Sequence, residues 1–230
     1  MIIKQQIIPL DKRPKYNVKG KLTTFKMSPE YITIHETANT GEGANAQAHA
    51  NLQSNGNSRQ ASWHIQVDDV QAIQSLPFDE CGIHAGDGTY GDGNRKSIGV
   101  EICVNSDGNF EKALENAAAV IGQIMLQFNI PPHKVVPHKH WSGKNCPTNL
   151  LKGRMQEFLN RCIAERGKLE QGRVKGVSER ALNDKEKEIQ AEAMRLGITD
   201  GKNPFREVNQ MYVWSALIPL ARKIEKLEKK

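Results

Sequence analysis

PHKHWSGKNCP, residues 137–147, gathers two histidines, a lysine, a tryptophan and a cysteine into one short segment. Neutral imidazole and thiolate are zinc ligands, and a catalytic zinc takes three protein ligands while keeping one position open. The segment follows a strand-like KVVPH, turns over through Ser142-Gly143 and can bring Cys146 back to a metal held by a histidine. His138 and His140 lie two apart, so on an extended backbone both point the same way, and the pattern does not choose between them. A third ligand must come from elsewhere in the chain. His35, at the end of the β-branched run YITIH, offers one. A lone histidine ending a strand is more often structural, so its assignment depends on what surrounds it. Lys144 is either an exposed turn lysine or a charge placed to steady a growing oxyanion.

Working outward, YITIH (31–35), SWHIQVDD (62–69) and SIGVEICV (97–104) read as strands. SIGVEICV reads as a buried strand with one carboxylate, Glu101, inside it. A carboxylate flanked by Val100 and Ile102 is costly to bury unless paired or put to use. Helical spacing of apolar residues marks 110–128, through Phe110, Ala113, Leu114, Ala117, Val120, Ile121, Ile124, Met125 and Phe128. A shorter helix is expected from Asn45 to Gln53, and an amphipathic one over 148–165. Residues 1–29 read as an extended arm, and CGIHAGDGTYGDGN (81–94) as a glycine-rich loop. Strands interleaved with helices predict an α/β domain, a mixed central β-sheet flanked by helices.

The chain has 230 residues, 38% of them hydrophobic, enough for one medium domain and a smaller module. The first 165 residues are close to charge-balanced, and residues 166–230 carry most of the net charge of +6. The predicted division is a catalytic domain over 1–165, a linker over 166–178 (RGKLEQGRVKGVS, with no apolar period) and a small C-terminal helical module over 179–230. That module reads as two helices, 179–196 and 205–229, around GITDGKNP. Its positive charge suits contact with an anionic polymer, such as nucleic acid or a bacterial wall polymer; alternatively, the module is a dimerisation hairpin that would make the protein a homodimer. No aromatic-interleaved basic motif supports nucleic-acid binding. The longest apolar stretch, MYVWSALIPLA, is too short to cross a bilayer. Four cysteines do not make a disulfide scaffold, and a reducing compartment suits a thiolate ligand. MIIKQQIIPLDKRPKY, broken by Pro9 and Pro14, has no apolar run of signal-peptide length.

YITIHET, SWHIQVDD, IHAGDG, NRKSIGVEIC and PHKHWSGKNCP, in this order, resemble the zinc-dependent N-acetylmuramoyl-L-alanine amidases of phage endolysins and bacterial autolysins, whose fold is shared with peptidoglycan recognition proteins. The resemblance covers roughly residues 28–162. It implies that His35, His138 and Cys146 bind one zinc ion, with His140 outside the set. It also implies that Glu101 is the catalytic carboxylate and Lys144 a catalytic lysine. The implied substrate is bacterial peptidoglycan, reached after release from the cytoplasm in which the chain is made. His84 and Trp141 are expected to line the substrate groove. Trp63 and His64 suit core or supporting roles better. Two rival readings are a non-catalytic peptidoglycan-binding protein, which would typically lack the metal cysteine, and a zinc peptidase acting within the stem peptide.

Overall fold

The computed structural model describes residues 1–179 and 184–195. In chain order the strands are β1 (Ile3–Gln5), β2 (Tyr16–Val18), β3 (Lys21–Thr23), β4 (Tyr31–Glu36), β5 (Ile65–Val67), β6 (Ala72–Gln74), β7 (Ser97–Ile102) and β8 (Val135–Pro137). The helices are α1 (Ala46–Ser54), α2 (Asp92–Lys96), α3 (Phe110–Gln127), α4 (Lys139–Ser142), α5 (Met155–Glu179) and α6 (Asp184–Arg195). Six strands form one sheet in the order β1-β6-β5-β7-β4-β8, and β2 and β3 form a separate hairpin. β4 runs parallel to both β7 and β8, and β5 parallel to β7, while β5 and β6 are antiparallel. The sheet is therefore mixed and flanked by helices, as the interleaved pattern predicts.

Parallel strands are covered on both faces and so lose the simple inside-outside alternation. Here the alternation survives in another form. Ile32 and Ile34 of β4, Ile98, Val100 and Ile102 of β7, and Ile65 and Val67 of β5 share one core with α3 and with Phe158 and Cys162 of α5. Each fully buried side chain of this size contributes about 1.5–3 kcal/mol. The intervening residues Thr33, His35, Ser97 and Gln66 are also buried but polar, and they face the other way. Register puts His35 directly beside Glu101, at the carboxyl ends of adjacent parallel strands. In open α/β sheets that is where ligands bind.

Three local expectations change. The arm over 1–29 is more than extended: β1 joins the sheet edge beside β6 and β2–β3 make a hairpin. The helix expected from 148 begins only at Met155, because Gly153 takes a left-handed φ of 90° that ends the preceding turns. Leu150, Phe158 and Cys162 still point inward. The stretch 166–178, expected to be a linker, is helical, since α5 runs through it. Residues 166–172 are exposed or half-buried, so no apolar period is needed there. The Arg, Lys, Glu and Gln residues of the stretch favour helix enough to carry its glycines.

The chain forms two compact units, Met1–Leu169 and Glu170–Lys230. The first holds the whole sheet. In the second, α6 exposes Ile189 and Met194. Leu182, Leu196, the GITDGKNP turn and the helix expected over 205–229 lie outside the described residues. No described helix is long and apolar enough to cross a membrane.

Candidate active site

Three chain segments converge at the carboxyl end of the sheet. β4 ends with His35, whose Nδ1 lies 3.9 Å from Glu101 Oε1 on β7. β8 then delivers His138, whose backbone N–H donates to the Ile34 carbonyl at 3.1 Å. At His138 the backbone turns helical, with φ −51° and ψ −36°, and leads into α4. The extended geometry that would have aimed His138 and His140 alike is therefore absent. His138 is buried, whereas His140 is exposed and packs edge-on against Trp141. The returning loop is tied down by the Lys139 N–H, which donates to the Cys146 carbonyl at 3.0 Å.

Glu36 anchors the chain on the far side of Cys146. Its carboxylate accepts from the backbone N–H groups of Asn149 and Leu150 and from the Asn149 side-chain amide, all at 2.9–3.0 Å. Both oxygens are committed, which makes Glu36 a clamp on the segment that carries Cys146. Cys146 Sγ then lies 3.9 Å from His35 Nδ1. The ligand atoms of His35, His138 and Cys146 all fall within 4.8 Å of one another, and all three residues are buried.

These residues fit a metal ion. Neither ring nitrogen of buried His138 makes a well-aligned hydrogen bond, although the Ala85 backbone acts on the ring. Leaving a buried polar group unpaired costs about 1–3 kcal/mol, and a metal bond would relieve it. His35 is prepared for the same role from behind. The Ser97 carbonyl can only accept, so His84 Nε2 carries the proton in their 3.3 Å hydrogen bond. His84 Nδ1 must then accept from His35 Nε2–H, at 3.0 Å. His35 is left with a bare Nδ1, the atom that faces Cys146 and Glu101. Such outer partners fix the tautomer and orientation of a ligand histidine.

Burial keeps these rings neutral. It is the main cause that holds His35 well below the usual histidine range, helped by His84 and His138. Burial likewise lowers His84 to about 3 and His64 to about 4. His64 Nδ1 accepts from the Gly99 N–H and its Nε2 donates to the Glu80 carbonyl, both at 2.9 Å. Gly99 leaves room for this layer: a Cβ there would stand 2.9 Å from His84 Nδ1. Burial also pushes the Cys146 thiol up to about 11, neutral until a cation displaces its proton.

Glu101 is poised differently. Burial raises its carboxyl to about 8, against the lowering effect of Lys144. Its Oε2 is buried with no hydrogen-bond partner. A cleft of about 460 Å³ opens beside it, lined by the three candidate ligands, Glu101 and Lys144, and by the apolar side chains Trp63 and Leu52.

Of the two residues expected to line the groove, His84 does so and Trp141 does not. His84 borders the cleft while both its ring nitrogens are engaged, with His35 and Ser97. Trp141 lines neither this cleft nor its neighbour; its indole N–H donates to Thr33 Oγ1 at 2.8 Å and its ring meets Tyr31 edge-on. His64 has the supporting role expected of it. Trp63 donates to Gln66 Oε1 at 2.9 Å while one side of its ring borders the cleft. Reading by sequence missed His49 and Arg59, which also line the cleft. His49 sits on a helix of weak amphipathicity and Arg59 in a polar turn, so neither carries a local signal.

The family model described as N-acetylmuramoyl-L-alanine amidase matches residues 25–149, a segment that contains all five converging residues. The chain belongs to that family. Among amidases of Bacillus subtilis strain 168, CwlH is 52% identical over 160 residues, which are 69% of this chain and 60% of CwlH. XlyA is 54% identical over 127 residues, 55% of this chain and 42% of XlyA. The chain thus spans about 60% or less of the length of these curated relatives. Among solved structures, the catalytic domain of XlyA superposes with a TM-score of 0.63 at 46% identity, covering 70% of this chain and 99% of that one. PlyL superposes with a TM-score of 0.61 at 37% identity, covering 70% and 97%. The chain thus shares its mixed sheet and flanking helices with these two domains. Its matched segment ends before α5 begins.

Proposed function

We propose that the chain hydrolyses the amide between the lactyl group of N-acetylmuramic acid and L-alanine in bacterial peptidoglycan. One observation carries this reading: a buried His138, its ring nitrogens without a well-aligned hydrogen bond, beside His35 and Cys146, with the free carboxylate oxygen of Glu101 adjoining them. His35, His138 and Cys146 would hold one zinc ion. Bound there, zinc would supply Lewis acidity to the attacking water and to the scissile carbonyl. Glu101, raised by burial and lowered by Lys144, would be lowered further by a cation at the three ligands; in its ionised form it accepts the proton of the water and returns it to the departing amine of L-alanine. Lys144 borders the same cleft and offers a positive charge to the oxyanion. The His84–His35 pair holds His35 in the ligating tautomer. A similar solved structure, an endolysin of Bacillus subtilis at 46% identity, supports action on the bacterial cell wall.

Digestion of purified wall, with and without chelator, tests the reading. New L-alanine amino termini that vanish on chelation and return with zinc are expected. New ends inside the stem peptide would make the enzyme a peptidase, and wall binding without new ends would make it a binding protein. For Glu170–Lys230 we retain the two readings of its sequence, wall targeting and dimerisation. A chain ending at Leu169 that binds wall less well supports the first, and one with half the solution mass supports the second.

A further inference from the structure

Beside the first cleft lies a second groove of about 660 Å³, and the two share Arg59, Ala61, His84, His138 and Lys144. They are two arms of one channel that crosses the candidate metal ligand His138. A linear substrate cut at that point must lay one half in each arm. The arms differ in charge. The first is lined by the carboxylates Glu36 and Glu101 and by the apolar side chains Leu52 and Trp63. The second adds Lys15 to Arg59 and Lys144 and has no carboxylate in its lining.

Lys15 and Arg59 are exposed, and among the described residues neither makes an ion pair. Their backbones, by contrast, are anchored. Buried Asn57 organises the Arg59 turn: its Oδ1 accepts from the Arg59 N–H at 3.1 Å and its Nδ2 donates to the Ala61 carbonyl at 3.0 Å. Lys15 precedes buried Tyr16, whose hydroxyl donates to the Gly82 carbonyl at 2.6 Å. The Asp87 carboxylate, which acts on Tyr16 and His138 of this groove, is engaged by the Gly93 and Asn94 N–H groups, so two cations on fixed backbone, with no internal partner, form a receptor for an anion in an otherwise polar groove. The guanidinium can hold a carboxylate by two parallel hydrogen bonds.

We infer that Arg59, assisted by Lys15, selects substrates whose peptide half carries a free carboxylate next to the scissile amide, and that this half lies in the second arm. The inference rests on the amidase reading and deepens it. The sugar half, uncharged near the bond, lies toward Leu52 and Trp63.

The test uses the full chain and two synthetic N-acetylmuramoyl peptides that differ only at the residue after L-alanine, carboxylate in one and carboxamide in the other. The wild type is expected to favour the carboxylate by about tenfold in kcat/KM, chiefly through KM, as a charge-assisted contact predicts. In the Arg59→Gln/Lys15→Gln double variant the preference should fall toward one, and Arg59→Lys should keep part of it. Higher salt should shrink the wild-type preference, because both cations are exposed. Equal wild-type cleavage of the two peptides, or a preference that survives the double variant, overturns the inference and leaves the amidase reading standing. Release of L-alanine amine from neither peptide overturns both.

Discussion

The two faces of the central sheet are built from the same strands and do opposite work. Toward α3, β4 and β7 present Ile32, Ile34, Ile98, Val100 and Ile102, all fully buried and all hydrocarbon. Toward the cleft, the same strands present Thr33, His35, Ser97, Gly99 and Glu101. The first face gains stability from apolar area removed from water. The second gives some of that up, because every buried polar atom on it needs a partner. His64, His84, Ser97 and Gln66 find theirs within the protein. His138 and Glu101 Oε2 find no well-aligned one. Chemistry is therefore expected where the polar face stops satisfying itself, and the apolar face should be silent in activity.

The sharpest attempt to break that contrast is Glu101→Gln. It keeps shape and removes the base, so amide hydrolysis should fall ~10²–10⁴-fold while metal content and melting temperature stay close to wild type. Equal activity in an amine-release assay would place the base elsewhere. Phe158→Ala on the opposite side should show the reverse. Phe158 is only 1% exposed, and its truncation should cost about 3–5 kcal/mol in urea unfolding with kcat of the folded protein little changed. A large loss of kcat there would couple the two faces.

The pH dependence of stability offers a third test. His64 is fully buried with its folded pKa lowered to about 4, below the unfolded value. The unfolded chain then binds the extra proton as the pH drops below about 6.5, so folding should weaken from there down to about 4 and level off beneath. The loss at this one residue is about 3 kcal/mol, and His64→Gln should flatten the acid limb of a denaturation series. An acid limb unchanged by the substitution would show that His64 is not held neutral. The smallest effect expected is in His84→Phe. It removes the acceptor of His35 Nε2–H and should weaken zinc binding about 10–100-fold by competition titration. Undiminished affinity would mean that the His84 contact does not orient the ligand.

Much of this was legible in the chain before folding. The β-branched run ending at His35, the carboxylate set in SIGVEIC and the helical spacing of 110–128 are local patterns, each produced by neighbours in sequence. They sufficed for the fold class and, through the ordered motifs, for the five residues that converge. What tertiary structure alone decided involves partners far apart. The register that sets His35 beside Glu101 joins strands separated by two helices, and Glu36 clamps Asn149 from across the sheet. The resemblance already implied His138 over His140, but the physical reason, a helical turn that starts at His138 itself, shows only in the structure. Aromatic and imidazole side chains suit sugar and peptide, and His84 does border the cleft, but only the tertiary structure ties Trp141 to Thr33 and His84 to His35 and Ser97. The Arg59 turn carries no pattern, and its place beside the second groove comes from packing. The stretch 166–178 shows the converse, a helix that lacks the apolar period by which helices are recognised. Local sequence dictates periodicity and therefore elements, but which polar atoms meet depends on contacts between distant residues, and these exist only once the sheet has formed.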